Sequence, residues 1–77
     1  MNQYVLVNDK GLFALINRVQ THTKSDKPKI MGFGILNDAG LVAFEEADVL
    51  IKEYKNGTGS KLLYVPAVMT REVRLIT

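Results

Sequence analysis

The sequence predicts a small α+β domain spanning residues 1–77, and three observations carry that expectation. Short runs of β-prone residues alternate with two stretches whose apolar residues recur at i, i+3, i+4 and i+7. The chain has 77 residues, 47% of them hydrophobic, too few apolar side chains for two cores. It holds no cysteine and no tryptophan, so neither a disulfide framework nor a thiolate zinc site is expected to staple it. A domain of this size buries only about 60% of the surface its unfolded chain exposes and keeps a few kcal/mol of stability, which makes a partner chain an expected source of more.

Gln3 to Val7 is a short uninterrupted run of Tyr, Val and Leu that ends at the turn formers Asn8, Asp9 and Gly11, and it reads as a buried strand. Leu12, Leu15, Ile16 and Val19 then follow helical spacing and predict a helix over about Lys10 to His22. The alternation of Val19, Thr21 and Thr23 leaves a strand open for its second half. The polar stretch from Thr23 to Pro28 is a loop, because Pro28 lacks the amide a continuing helix needs.

Lys29 to Leu36 predicts a strand with Met31, Phe33 and Ile35 on one face and Ile30, Gly32, Gly34 and Leu36 on the other. Asn37-Asp38-Ala39-Gly40 has the Asn and Gly placement of a type I turn, so Leu41 to Phe44 is expected to return as a hairpin strand, with a helix starting at Asp38 as the competing reading. From Glu45 a second helix is predicted by Ala47, Leu50, Ile51 and Tyr54. Its acids lie at the start, Lys52 and Lys55 at the end, and Gly57 stands where it should stop. Lys61 to Val68 reads as a strand in which Pro66 demands an edge, a bulge or a break. Thr70 to Ile76 reads as a solvated edge strand. The resulting order is that of the ferredoxin-like split βαβ arrangement, βαββαβ, with an extra C-terminal edge strand.

Two segments echo each other at an offset of 29 residues: Val7-Asn8-Asp9-Lys10-Gly11-Leu12-Phe13-Ala14 and Leu36-Asn37-Asp38-Ala39-Gly40-Leu41-Val42-Ala43. A duplication would force both into the same local structure; two independent chain reversals would not. Gly57-Thr58-Gly59-Ser60-Lys61 has the letters of a phosphate-binding loop without its spacing, which leaves at most a generic anion site bracketed by Lys55 and Lys61.

Gly32-Phe33-Gly34 resembles the Gly-aromatic-Gly stretch of the RNA recognition motif, with Leu36 in an aliphatic slot of that pattern. Met31, Ile35 and Asp38 depart from the basic and aromatic positions of that family, and the stretch falls on the second predicted strand where the family carries it on the third. The resemblance implies that Phe33, with Tyr4 or Tyr64, offers stacking surfaces to single-stranded nucleic acid. The residues themselves read equally as core aromatics.

No catalytic constellation can be assembled. His22 is the single histidine and cysteine is absent, so a triad or a histidine-rich metal site is not available within one chain. No enzyme activity, cofactor or metal is expected. Met1 to Lys10 lacks the pattern of a secretory signal, and no apolar run approaches a membrane span, so a cytoplasmic location without membrane contact is expected.

Charge is more informative. A net of +2 divides into a basic block at residues 18–29, an acidic block at 38–53 and a second basic block at 54–77. The leading expectation is a non-enzymatic regulatory or accessory protein that acts through a protein partner, as an adaptor or inhibitor, of viral or mobile-element type and forming a homodimer. Its interface is expected at Glu45, Glu46, Asp48, Val73 and Leu75. The alternative is an RNA more than DNA binder that contacts phosphates through Lys24, Lys27, Lys29, Lys61, Arg71 and Arg74.

Overall fold

A computed structural model describes residues 3–19 and 27–76 of the chain. Its elements are β1 (Gln3–Val7), β2 (Phe13–Val19), β3 (Lys27–Gly34), a 3-10 turn (Leu36–Asp38), α1 (Phe44–Thr58), β4 (Leu63–Met69) and β5 (Val73–Leu75). The strands form one antiparallel sheet of order β3-β2-β1-β4-β5. The chain is therefore α+β, with, among the described residues, one α-helix placed after three strands rather than the two helices of a split βαβ order.

Where the first helix was predicted, Phe13–Val19 form strand β2; positions 20–22 of that prediction lie outside the described residues. Gly11 adopts φ +79°, and the Asn8 side chain accepts the N–H groups of Lys10 and Leu12 at 2.9 Å each, so the chain reverses tightly where a helix was expected to begin. Beyond the turn, Ala14 and Ile16 face α1, while Phe13 faces the opposite core. Burial on both sides gives β2 apolar residues at odd and even positions, and over four residues this imitates helical spacing.

β1 has the same character: Leu6 packs beneath α1 and Val5 packs on the far face, both fully buried. The helix side of the core holds Ala47, Leu50, Leu62 and Val42 with Leu6 and Ala14. The other side is closed by the 3-10 turn and the residues after it, where Ala39, Leu36 and Leu41 meet Ala67, Val73 and Leu75.

The predicted hairpin strand over Leu41–Phe44 does not form. β1 and β2 pair only at Val7 and Phe13 and then diverge, and residues 40–42 enter the gap. Val42 and Tyr4 exchange two N–H···O bonds of 2.9 Å, and the Gly40 N–H donates to the Ala14 carbonyl at 3.2 Å. Asn37 and Asp38 belong to the 3-10 turn and Phe44 opens α1, so too few residues remain for a strand. The two echoing segments thus differ in structure, a hairpin turn in the first and a 3-10 turn with a single bridge in the second, which removes the duplication.

In β3 a bulge changes the expected alternation. Leu15 stands opposite Gly32 and Ile16 opposite Ile30, with Met31 left over between them. The extra residue brings Ile30 and Phe33 onto the helix side together and turns Met31 out to solvent, a division that strict alternation forbids.

α1 forms where its period predicts it, but Gly57, expected to stop it, is helical, because its φ is not left-handed and the chain reverses two residues later. Glu45 and Glu46 occupy its first turn and Lys55 its last, where each suits the helix dipole. The helix ends at Gly59, in the left-handed conformation with φ +77°, whose N–H donates to the Lys55 carbonyl at 2.7 Å. Pro66 is accommodated without a break. Towards β1 it occupies a position that needs no N–H, and towards β5 it only accepts, from the Ile76 N–H at 2.8 Å, at the last bond of that ladder.

Candidate functional site

α1 starts beside β1 and β4 and reaches β3 at its C-terminal half, where Tyr54 lies edge-on to Phe33 with ring centroids 5.6 Å apart. It covers Leu6, Ala14, Ile16, Ile30 and Phe33 and leaves the same face of β4 and β5 bare. Register fixes what lies there: Tyr64, Pro66 and Val68 alternate along β4, with Arg74 across from Val68, and Ile76 beside Pro66. Phe44, the first residue of α1, leans over this strip. It meets Tyr4 and Tyr64 edge-on at 6.0 and 5.7 Å, and Tyr4 meets Tyr64 at 5.3 Å.

These side chains are apolar and wet. Phe44 is 50% exposed, Tyr64 49%, Val68 42% and Ile76 53%. Together they expose roughly 400 Å² of mainly apolar surface, the size of the largest such patch on a typical monomer, which often has a function. Arg74, paired weakly with Glu72 at 3.5 Å, borders the strip at the Val68 end.

The predicted acidic residues divide. Glu45 and Asp48 are exposed, and Asp48 pairs with Lys52 at 3.1 Å. Glu46 is structural. Its carboxylate takes a bidentate bond from Arg18, 2.6 Å to Oε2 and 3.0 Å to Oε1, and accepts the Ala43 N–H at 2.9 Å as a helix cap. Arg18 also donates to the Leu41 carbonyl at 3.0 Å, so one guanidinium ties β2 to the inserted segment and to α1. The Arg18 hydrogen bond holds the Glu46 carboxyl below the usual carboxylate range, partly opposed by burial.

The other predicted interface residues face inward. Val73 is buried and Leu75 half-buried in the core beneath the 3-10 turn, so their side chains do not contribute to an exposed surface. Among the predicted basic residues, Lys24 lies outside the described residues, and Lys27 opens β3, opposite Val19. Lys29 is exposed on the same strand, whereas Arg71 and Arg74 are exposed at β5, on the opposite side of the sheet. Four interstrand steps of about 4.8 Å put roughly 19 Å between those edges along the sheet. Lys61 is exposed in the connection from α1 to β4.

Gly57 to Lys61 offers no cradle of N–H groups. Gly57 and Thr58 are helical, the Thr58 hydroxyl donates to the Tyr54 carbonyl at 2.8 Å, and a helix C-terminus presents carbonyls to its surroundings. Beside it, Lys29, Ile30, Glu53, Tyr54 and Gly57 line an open groove of about 310 Å³. Among the described residues no cluster of three or more His, Asp or Glu is placed to hold a metal ion, and no helix is long and apolar enough to cross a membrane.

No family model, curated protein or solved structure matches the chain. The most exposed candidate feature is thus a sheet face that sequence patterning missed. Leu62 to Val68 is a continuous apolar run, and such a run signals burial on both faces. Tyr64 and Val68 differ from Ala67 in the face they occupy: the 3-10 turn and the residues after it cover Ala67, whereas α1 does not extend over the opposite face of β4.

Proposed function

We propose that this protein is a non-catalytic protein-binding module of the adaptor or inhibitor class, and that it engages its partner through the bare face of β4 and β5 beside Phe44. The observation that carries this reading is the contiguous strip formed by Phe44, Tyr64, Val68 and Ile76, each more than two-fifths exposed. Large apolar side chains held in fixed positions by a sheet, and bordered by the exposed Arg74–Glu72 pair, have the anatomy of an interface core with its polar rim. Aromatic residues in such a place supply contact area at little cost in conformational entropy, because their rings already brace one another.

A nucleic-acid partner has less support. Phosphate binding through both basic blocks needs them on one surface, and Lys29 stands at the opposite edge of the sheet from Arg71 and Arg74.

A photo-crosslinking residue placed at Tyr64, with a control at the exposed Glu53 on the far flank of α1, tests the reading in cells. The expected result is a protein adduct from position 64 that is absent from position 53. Equal labelling at both positions, no adduct, or a nucleic-acid adduct alone would refute it.

A further inference from the structure

We propose that the free edge of β3 binds an extended peptide of a partner protein. The peptide pairs its main chain with that strand and sets an aliphatic side chain, and a Lys or Arg two positions away, into the groove between β3 and α1. The site lies on the opposite side of the sheet from β4 and β5, so it stands or falls apart from the reading of that face.

The first observation is the edge itself. β3 is the outermost strand, and among the described residues it pairs with β2 alone. It has eight residues, against three in β5 at the other edge. Alternate residues of an antiparallel edge strand turn their N–H and C=O groups away from the sheet. Beyond the ladder with β2, no backbone hydrogen bond among the described residues reaches positions 27–34. Such a row of groups selects extended main chain as its partner. Pro28 and the bulge at Met31 divide the edge into short runs. That disfavours pairing with another long edge, such as β3 of a second copy, and leaves the few bonds a peptide needs.

The second observation is what lies beside the edge. A strand added about 4.8 Å outside β3 sends every second side chain to the helix side of the sheet. There the C-terminal half of α1 packs over β3 through Tyr54 and Phe33. Leu50, Tyr54 and Gly57 follow one another along one flank of the helix, and with Lys29 and Ile30 they line the open groove of about 310 Å³. Leu50 is buried, and Ile30 and Tyr54 are half-buried, so the groove offers an aliphatic side chain apolar contact. At Gly57 the wall carries no side chain, and an added Cβ would meet nothing within 4 Å.

Charge specifies the second side chain. Glu53 is exposed on the helix lip of the groove and makes no ion pair among the described residues. The helix ends at Thr58, and its last carbonyls form the negative end of the dipole. A carboxylate and a helix C-terminus on one lip favour a cation there. Lys29, exposed on the strand lip, repels a cation from the other side. In an extended peptide, residues two positions apart point the same way, about 7 Å from each other, which is how one segment fills the groove and reaches Glu53.

A display library of random linear peptides, selected on the folded protein, supplies the probe. The most enriched peptide is then titrated by fluorescence anisotropy, with far-ultraviolet circular dichroism to confirm that each variant is folded. Enriched sequences are expected to share an aliphatic residue with Lys or Arg two positions away, and the bound peptide to slow hydrogen exchange at the amides of residues 29–34. Glu53→Arg is expected to weaken binding about tenfold, and a peptide with Glu in place of its cation to recover it. Gly57→Trp fills the groove at a helical position that favours a side chain over glycine, and it is expected to abolish binding. Absence of any enriched peptide, exchange protection that falls on β4 or β5 instead, or a charge preference unchanged by Glu53→Arg overturns the proposal. A chain that self-associates with the same β3 amides protected also overturns it, because the edge then belongs to a second copy.

Discussion

Replacing Gly40 with alanine tests the inserted segment, on which the division of this fold into two core layers depends. A Cβ at position 40 would overlap Cβ and Cγ1 of Ile16 and lie 3.1 Å from its Cα. The Ile16 atoms involved are at the root of the side chain and on the backbone, so no rotamer change relieves the contact. Relief requires residues 39–42 to lift away from β2. That movement strains the Gly40–Ala14 bond and the two bonds between Val42 and Tyr4, each worth about 1 kcal/mol net.

Overpacking adds about 1–3 kcal/mol in comparable cores, so Gly40→Ala is expected to cost ~3 kcal/mol or more. For a domain of 77 residues this corresponds to a fall in Tm of roughly 12–24 °C. Gly32→Ala is the control. Its Cβ would meet nothing within 4 Å, and its φ is not in the left-handed region, so it is expected to be neutral or to stabilise by up to about 1 kcal/mol. Urea titration and thermal melts followed by circular dichroism read both. A Gly40→Ala protein within about 0.5 kcal/mol of wild type would refute the close approach of this segment to β2.

Two further expectations separate the structural from the exposed side chains. Because Glu46 titrates below its unfolded value, the Arg18–Glu46 contact contributes fully above about pH 5 and is lost as the pH falls below about 4. Glu46→Gln should therefore lower stability by about 1 kcal/mol near neutrality and flatten the acid limb of the stability curve; an unchanged acid limb refutes the assignment. Leu6→Ala, at a fully buried position beneath α1, should cost about 3 kcal/mol in urea unfolding, whereas Phe44→Ala, half-exposed, should cost about 1 kcal/mol. Equal costs would mean that Phe44 is a core residue and not part of a surface.

Local chemistry made much of this chain legible in the sequence. α1 carries its own period and its own acidic start, interactions among neighbours that need no tertiary partner, whereas its end fell at Gly59 and not at the expected Gly57. β1, the β3 stretch and the two C-terminal strands were marked by β-prone runs between turn formers. The absence of cysteine and the three charge blocks were plain from composition.

What sequence could not decide was which faces would be covered. Leu12 to Val19 satisfies a helical stripe and a doubly buried strand equally well, and β2 formed because it pairs with β3 along its length and is covered on both sides. Burial likewise divided the predicted interface: Val73 and Leu75 went under the 3-10 turn, Glu46 went to Arg18, and Glu45 and Asp48 stayed exposed on α1.

The sequence by itself determined an α+β domain with an amphipathic helix of acidic start and with separated charges, because propensity, periodicity and the helix dipole act over a few residues. The tertiary structure alone decided that the helix covers β1 to β3 and leaves Tyr64, Val68 and Ile76 bare. Coverage depends on the direction in which α1 crosses the sheet, set by long-range contacts such as Phe33 with Tyr54 and Arg18 with Glu46.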